Sequence, residues 1–397
     1  MHFGIDRLPT ETKVVARLRE GRFGLLAHPA SVDGRFRHLR HLLHGLGASP
    51  AIVFGPEHGY GGEAQDMIGV DDSRDAYGTR VVSLYGENFS ALTPSASDLD
   101  GLDLVLCDLQ DVGARYYTFV WTALLMLRAC AARGIPLVVL DRPNPLGGVL
   151  REGAFPISER FHSFVGLEPL PVRHGFTLGE ILKIRAHEER IDPALLEIVA
   201  VDGWDREKSA YGDATLRGRW VLPSPNMPTP ETALVYPGGC LLEGTNLSDG
   251  RGCTRPFEIT GAPWLDGEAL AKALSESGLP GFFARPMVFQ PTFHKHAGLL
   301  CGGVQIHVTD PVHFRPYATY LALIAYTAQA HPASFRFRTE RYEFVDDIPA
   351  FDLLTGTDKA RAAILARETP REIADHFSQI SPASAARLGS WLDVVGA

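Results

Sequence analysis

The chain has 397 residues, 45% of them hydrophobic and 21% charged, with a net charge of −9. That length predicts two domains, and the apolar-to-charged balance excludes a globally disordered chain. An acidic chain without any Lys/Arg run is not a nucleic-acid binder of the usual basic kind, and the absence of about 18 consecutive apolar residues argues against a membrane span.

In chain order, residues 22–27 (RFGLLA) form a short apolar run ending at His28-Pro29, and 35–45 fit a helix. Residues 51–54, 80–84, 102–107 and 135–140 are further strand candidates, rich in β-branched and aliphatic residues. Residues 118–133 carry Phe119, Leu124, Leu127 and Cys130 near helical spacing, with Gly134 as the stop. Continuous apolar strands alternating with helices predict a parallel sheet buried on both faces. Its connectivity is Rossmann-like, but no G-x-G-x-x-G follows the first strand, so no dinucleotide and no other cofactor is expected. Residues 177–187 open with Thr177 and Glu180, a capping-box pattern, and 195–201 resemble another strand. Residues 220–230 (WVLPSPNMPTP) are stiffened by proline. A boundary near 205 therefore separates a Rossmann-like catalytic domain (1–205) from a smaller α+β domain (206–397) that closes the active-site cleft. In the second part 237–252 is glycine-rich, 266–277 and 315–330 suggest helices, 303–309 alternates like a half-buried strand, and 358–392 suggests two or three helices.

The five cysteines, Cys107, Cys130, Cys240, Cys253 and Cys301, are odd in number and contain no C-x-x-C pair. Neither a disulfide framework nor a zinc site is expected. The N-terminus lacks a basic segment followed by an apolar one, so no signal peptide is read. Reduced thiols and this N-terminus together predict a cytoplasmic location, or a secreted or periplasmic one if a leader has been trimmed.

Ligands of open parallel sheets bind at the carboxyl ends of the strands. The residues following successive strands are His28; Glu57-His58-Gly59; Tyr85-Gly86-Glu87; Asp108, Gln110, Asp111, Arg115 and Tyr116; and Asp141-Arg142-Pro-Asn144-Pro. Ionisable residues at five strand ends in a row point to a site rather than a scaffold. Glu57, in a loop framed by Pro56 and Gly59, reads as a general acid in a dry cleft, against the plainer reading of a solvated loop glutamate. His28 and His58 read as hydrogen-bond donors or as histidines satisfied by backbone. Asp108 and Asp111 read as a base or as partners orienting Arg115, and Asp141 as a site residue or a turn cap. Glu243-Gly-Thr-Asn246 and Ser248-Asp249-Gly-Arg251 form a polar, glycine-rich loop able to approach a ligand closely. His28, His58, Asp108 and Asp111 lack any metal-site spacing such as H-E-x-x-H, and no G-x-S-x-G is present, so neither a metal nor a serine-hydrolase elbow is expected.

The segments GPEHGYGG (55–62), SLYGEN (83–88), DLQDVGARYYTF (108–119), LDRPNPLGG (140–148), RHGFTLGE (173–180), WVLPSPNMPT (220–229), YPGGCLLEGTNLSDGRGC (236–253) and CGGVQIHVTD (301–310) occur in one order. Together they resemble the exo-β-N-acetylmuramidase family of NamZ type, over roughly residues 20–350. The resemblance implies a Rossmann-like domain followed by a smaller one with the cleft between them. It also implies release of N-acetylmuramic acid from the non-reducing ends of peptidoglycan fragments. Glu57 carries over as the catalytic acid. Tyr85, Arg173, His174, Asn226, Asn246 and the other motif residues carry over as pocket without assigned roles. The chain departs from the family at Cys253 (usually threonine), at His296 (usually tyrosine) and in its tail, and it lacks the secretion signal of many relatives. That last departure favours intracellular recycling of imported muropeptides.

A lactyl carboxylate calls for a cation, with Arg115, Arg142, Arg173 and Arg251 available. Glycoside hydrolysis usually takes two carboxyl groups: Glu57 is one, and Asp111, Glu243 and Asp249 compete for the other unless the substrate acetamido group replaces it. The competing functions are a metal-dependent amidohydrolase and a muropeptide-binding sensor without turnover. The sequence leaves oligomeric state open.

Overall fold

The computed structural model describes residues 1–65, 68–69, 73–155, 158–209 and 212–396. Seven strands build the first sheet: β1 (Phe23–Ala27), β2 (Ile52–Gly55), β3 (Ser73–Arg74), β4 (Arg80–Ser83), β5 (Leu104–Asp108), β6 (Leu137–Leu140) and β7 (Leu196–Val199). Their spatial order is β3, β4, β2, β1, β5, β6, β7, and every neighbouring pair is parallel except β3 with β4. Strands β1, β2, β5 and β6 are buried at every position, because helices cover both faces and each side chain meets an apolar neighbour. Chain direction across the sheet reverses between β1 and β5, which opens a crevice at their carboxyl ends.

The helix Phe119–Ala131 fills the sheet face beside that crevice and is buried along most of its length. Helix Leu178–Glu188 has the capping box that its sequence predicts: the Thr177 hydroxyl accepts the Glu180 N–H, and the Glu180 carboxylate accepts the Thr177 N–H.

The second half carries an antiparallel sheet ordered β8 (Ile259–Ala262), β10 (Cys301–Val308), β9 (Phe282–Phe289). The 303–309 alternation corresponds to β10; the other two strands were not anticipated. Another difference lies after the proline-rich segment. Pro230 starts a helix, Pro230–Gly239, where the sequence suggested only a glycine-rich stretch from 237. Gly238 explains the difference: a Cβ there would sit 2.1 Å from the Pro316 carbonyl, so its glycine is a close helix–helix contact rather than a loop. One continuous cluster of buried apolar side chains runs from Leu26 in β1 to Trp391 in the last helix, Pro382–Val395.

Candidate active site

Three strand ends supply the floor of the crevice. Glu57, two residues beyond β2, is 5% exposed, and its Oε2 accepts a hydrogen bond of 2.6 Å from the Thr118 hydroxyl. Thr118 sits at the N-cap of helix Phe119–Ala131, yet its hydroxyl makes no capping bond. The helix start has given up a local stabilising contact to hold the glutamate. Neighbouring His58 adopts φ of 70°, and its Nδ1 lies 2.9 Å from the Ala64 carbonyl. His28 accepts the Gln110 N–H on Nε2 at 3.0 Å, which puts its proton on Nδ1, facing the Pro223 carbonyl at 3.3 Å. Burial, with Arg142 nearby, holds its pKa well below the usual histidine value. His28 is thus a neutral latch between β5 and the proline-rich segment.

Beyond β5, Asp111 Oδ2 accepts the Gly113 N–H at 2.7 Å and lies 3.2 Å from His174 Nε2, close but not aligned for a hydrogen bond. Its Oδ1 is buried without a partner among the described residues. The Tyr117 phenol is buried close to Glu57, Asp111 and Ser224, without an aligned hydrogen bond. Burial drives its pKa well above the ordinary phenol value; Ser224 opposes and the two carboxylates reinforce that shift.

The facing wall comes from the second half. Glu243 accepts Arg251 Nη2 at 2.8 Å and the Tyr342 hydroxyl at 2.6 Å. Asp249 Oδ2 lies 3.1 Å from Arg251 Nη1, 3.3 Å from Lys295 Nζ and 3.5 Å from His294 Nδ1. Burial alone would raise the Asp249 pKa, but Lys295, Arg251 and His294 hold it well below the usual carboxylate range. Lys295 also donates to the Leu242 carbonyl at 2.8 Å. Aromatic rings join the two walls: Tyr117 packs on Tyr236 (5.9 Å between centroids), Tyr236 on Phe257 (4.8 Å), and the Arg251 guanidinium lies over Phe257 (4.9 Å). On another side the Tyr85 hydroxyl donates to Glu343 Oε2 at 3.1 Å. Among the described residues, six of the nine non-glycine residues with positive φ, namely His58, Phe257, His294, His296, Glu343 and Phe344, belong to these segments. Such concentration of backbone strain marks a functional site.

The remaining residues singled out in the sequence are placed in the surrounding framework. Arg115 donates to the carbonyls of Ala154, Leu170 and Leu354, and Arg142 forms a two-pronged pair with Asp108. Arg173 donates to the Leu146 carbonyl, Asn144 to that of Phe176, and Asn246 to that of Ser334. Tyr116 donates to the Pro237 carbonyl. Asp141 accepts the Thr177 hydroxyl and the Gly179 and Arg142 N–H groups, and burial outweighs these to push its pKa up to about 7. Asn226 Nδ2 donates to Gln65 at 2.7 Å at the rim of the crevice. Sequence reasoning did not single out Thr118, Tyr117, Lys295 or Glu343. The first two lay inside a motif already recognised; no local pattern marks the last two.

Among the described residues no group of three or more His, Cys, Asp or Glu side chains could hold a metal ion, and no helix is long and apolar enough to cross a membrane. All five cysteines are unpaired.

Residues 23–231 match the N-terminal model, and residues 234–382 the C-terminal model, of the exo-β-N-acetylmuramidase NamZ. The chain is 40% identical over 370 residues to the peptidoglycan β-N-acetylmuramidase NamZ of Bacillus subtilis, covering 91% of this chain and 83% of that protein. A crystal structure of a DUF1343 family protein from Bacteroides fragilis matches with a TM-score of 0.84 and 27% identity, over 98% of this chain and 97% of the other. A second DUF1343 structure from that organism, 24% identical, shares the fold with a TM-score of 0.70 over 98% and 96% of the two chains.

Proposed function

The chain belongs to the NamZ exo-β-N-acetylmuramidase family, and on that premise we propose that Glu57 is the acid with which it releases N-acetylmuramic acid from the non-reducing ends of peptidoglycan fragments. The observation that carries this assignment is the buried Glu57 carboxyl, fixed by Thr118 at a strand end beside the reversal of the sheet. Glu57 gives its proton to the glycosidic oxygen as the bond to C1 breaks, and the leaving sugar departs as an alcohol. Asp111 is the second carboxyl group. Both oxygens of Glu243 are engaged by Arg251 and Tyr342, and Asp249 is surrounded by cations. Oδ1 of Asp111 is therefore the carboxylate oxygen that lacks a partner among the described residues, and it takes a water or the substrate acetamido N–H.

The lactyl carboxylate goes to Lys295. Arg115 and Arg142 are committed to the framework, Arg173 is buried with a bond to the Leu146 carbonyl, and Arg251 pairs with Glu243 and Asp249, while the Lys295 ammonium uses two of its three N–H groups, on Leu242 and Asp249. Residues 1–205 supply the acid and 206–397 the cation that closes the cleft. The substrate is a peptidoglycan-derived muropeptide, and five unpaired thiols favour a reducing, cytoplasmic setting.

The test is hydrolysis of N-acetylmuramyl-β-1,4-N-acetylglucosamine by the parent and by Glu57→Gln. An unactivated leaving sugar needs the acid, so kcat should fall by about 10²–10⁴. Full activity in the variant removes Glu57 from the mechanism, and no hydrolysis by the parent removes the glycosidase reading.

A further inference from the structure

A groove of about 620 Å³ opens beside the catalytic pocket, lined by Gln65, Asn226, Cys253, Met287, Phe289 and Phe293 among others. Its walls are the immediate sequence neighbours of the site. Gln65 follows Ala64, whose carbonyl holds His58; Asn226 lies two residues beyond Ser224; Cys253 lies two beyond Arg251; Phe293 precedes His294 and Lys295. Gly252 permits this arrangement. At φ of 79° a Cβ would approach the Phe293 carbonyl to 2.6 Å, so only glycine lets the two loops meet.

The groove differs in chemistry from the pocket. Lys295, Arg251, Glu57 and Asp111 charge the pocket, but among the described residues no Asp, Glu, Lys or Arg lines the groove. The groove instead combines an apolar floor, Met287 and Phe289, with Phe293, which is 41% exposed. The rim is an amide pair, Asn226 with Gln65, which retains Asn226 Oδ1 as an acceptor and Gln65 Nε2 as a donor without partners among the described residues. A flat C–H face over an aromatic ring, with amide groups at the edge, is what a pyranose bearing an acetamido group requires.

Resting on the muramidase reading above, we propose that this groove is the subsite for the leaving sugar, that it takes an uncharged N-acetylhexosamine, and that Phe293 is its stacking platform. The anionic sugar enters the charged pocket, where Lys295 takes its carboxylate, and the neutral one lies in the groove, so the lactyl group sets which end of a fragment is cleaved.

The experiment compares two substrates in the parent, Phe293→Ala and Phe293→Tyr. One is N-acetylmuramyl-β-1,4-N-acetylglucosamine; the other is N-acetylmuramyl β-fluoride, whose leaving group does not reach the groove. The quantity read is the ratio of their kcat/KM values. In Phe293→Ala the ratio should fall about 3- to 10-fold, and Phe293→Tyr should keep the parental ratio. An unchanged ratio in Phe293→Ala, or an equal fall in both variants, overturns the subsite. A parent that hydrolyses neither substrate overturns the muramidase reading itself, a separate outcome.

Discussion

Replacing Lys295 with methionine keeps the length of the side chain and removes only its charge and donors. Asp249 would still have Arg251 Nη1 at 3.1 Å and His294 at 3.5 Å, so the loop keeps its anchor. Besides its contacts with the Leu242 carbonyl and Asp249, what is lost is the one N–H group assigned to the lactyl carboxylate. A hydrogen bond to a charged group contributes about 1.5–3 kcal/mol, which corresponds to roughly 10- to 150-fold in kcat/KM. The assay is release of p-nitrophenol from the β-N-acetylmuramide and from the β-N-acetylglucosaminide, which differ only in the lactyl group. Lys295→Met should lose that factor on the muramide and little on the glucosaminide, so that selectivity collapses. Equal losses on both sugars, or an unchanged muramide rate, would refute the assignment, and a thermal melt of the variant separates a folding defect from a binding one.

Two further predictions concern stability. Arg251→Met leaves Glu243 buried without its guanidinium, and removal of one partner from a buried pair destabilises by about 3–5 kcal/mol. Adding Glu243→Gln should recover part of that loss in urea denaturation, and simple additivity of the two substitutions would contradict it. Glu152 is buried, its Oε2 lacks a partner, and burial pushes its pKa from the usual 4.5 to about 7 against the pull of Arg173. Because the folded carboxyl holds its proton more tightly than the unfolded one, it destabilises the fold increasingly as pH rises from 4.5 to about 7. Glu152→Gln removes that penalty, on the order of 3 kcal/mol when complete. Its Tm should exceed the parent's by most at pH 8 and converge with it below pH 4.5; parallel curves would show that Glu152 does not titrate in this range.

The parallel sheet was legible because burial on both faces writes itself into sequence as uninterrupted apolar runs: β1, β2, β5 and β6 each correspond to one. The strand ends were legible for the same reason, since the first polar residue after such a run marks the edge of the sheet. Strand β9 was not. It reads FFARPMVF with an irregular burial pattern, because it is an edge strand and Pro286 sits inside it. Helix Pro230–Gly239 was hidden by Pro237 and two glycines that tight packing tolerates. Within the site, identity of residue type was a poor guide to role. Arg115 and Arg142 looked like substrate cations, yet only the tertiary structure reveals that carbonyls and Asp108 already claim them. Lys295 and Glu343 come to the crevice from loops far along the chain, and no spacing rule links them to Glu57.

The last helix, Pro382–Val395, returns to the first half of the molecule. Trp391 stacks on Phe155 at 5.3 Å, meets Phe176 edge-on and donates to Glu188, which also pairs with Arg387. On the ribosome, the strands of the first sheet are complete long before this helix emerges. During that interval Phe155 and the end of helix Leu178–Glu188 lack the Trp391 contact, so the nascent first half presents an apolar face that only helix Pro382–Val395 closes. Synthesis order thus makes helix Pro382–Val395 a late clasp of the amino-terminal half, and a chain stalled or cut before it would display that face to chaperones and proteases.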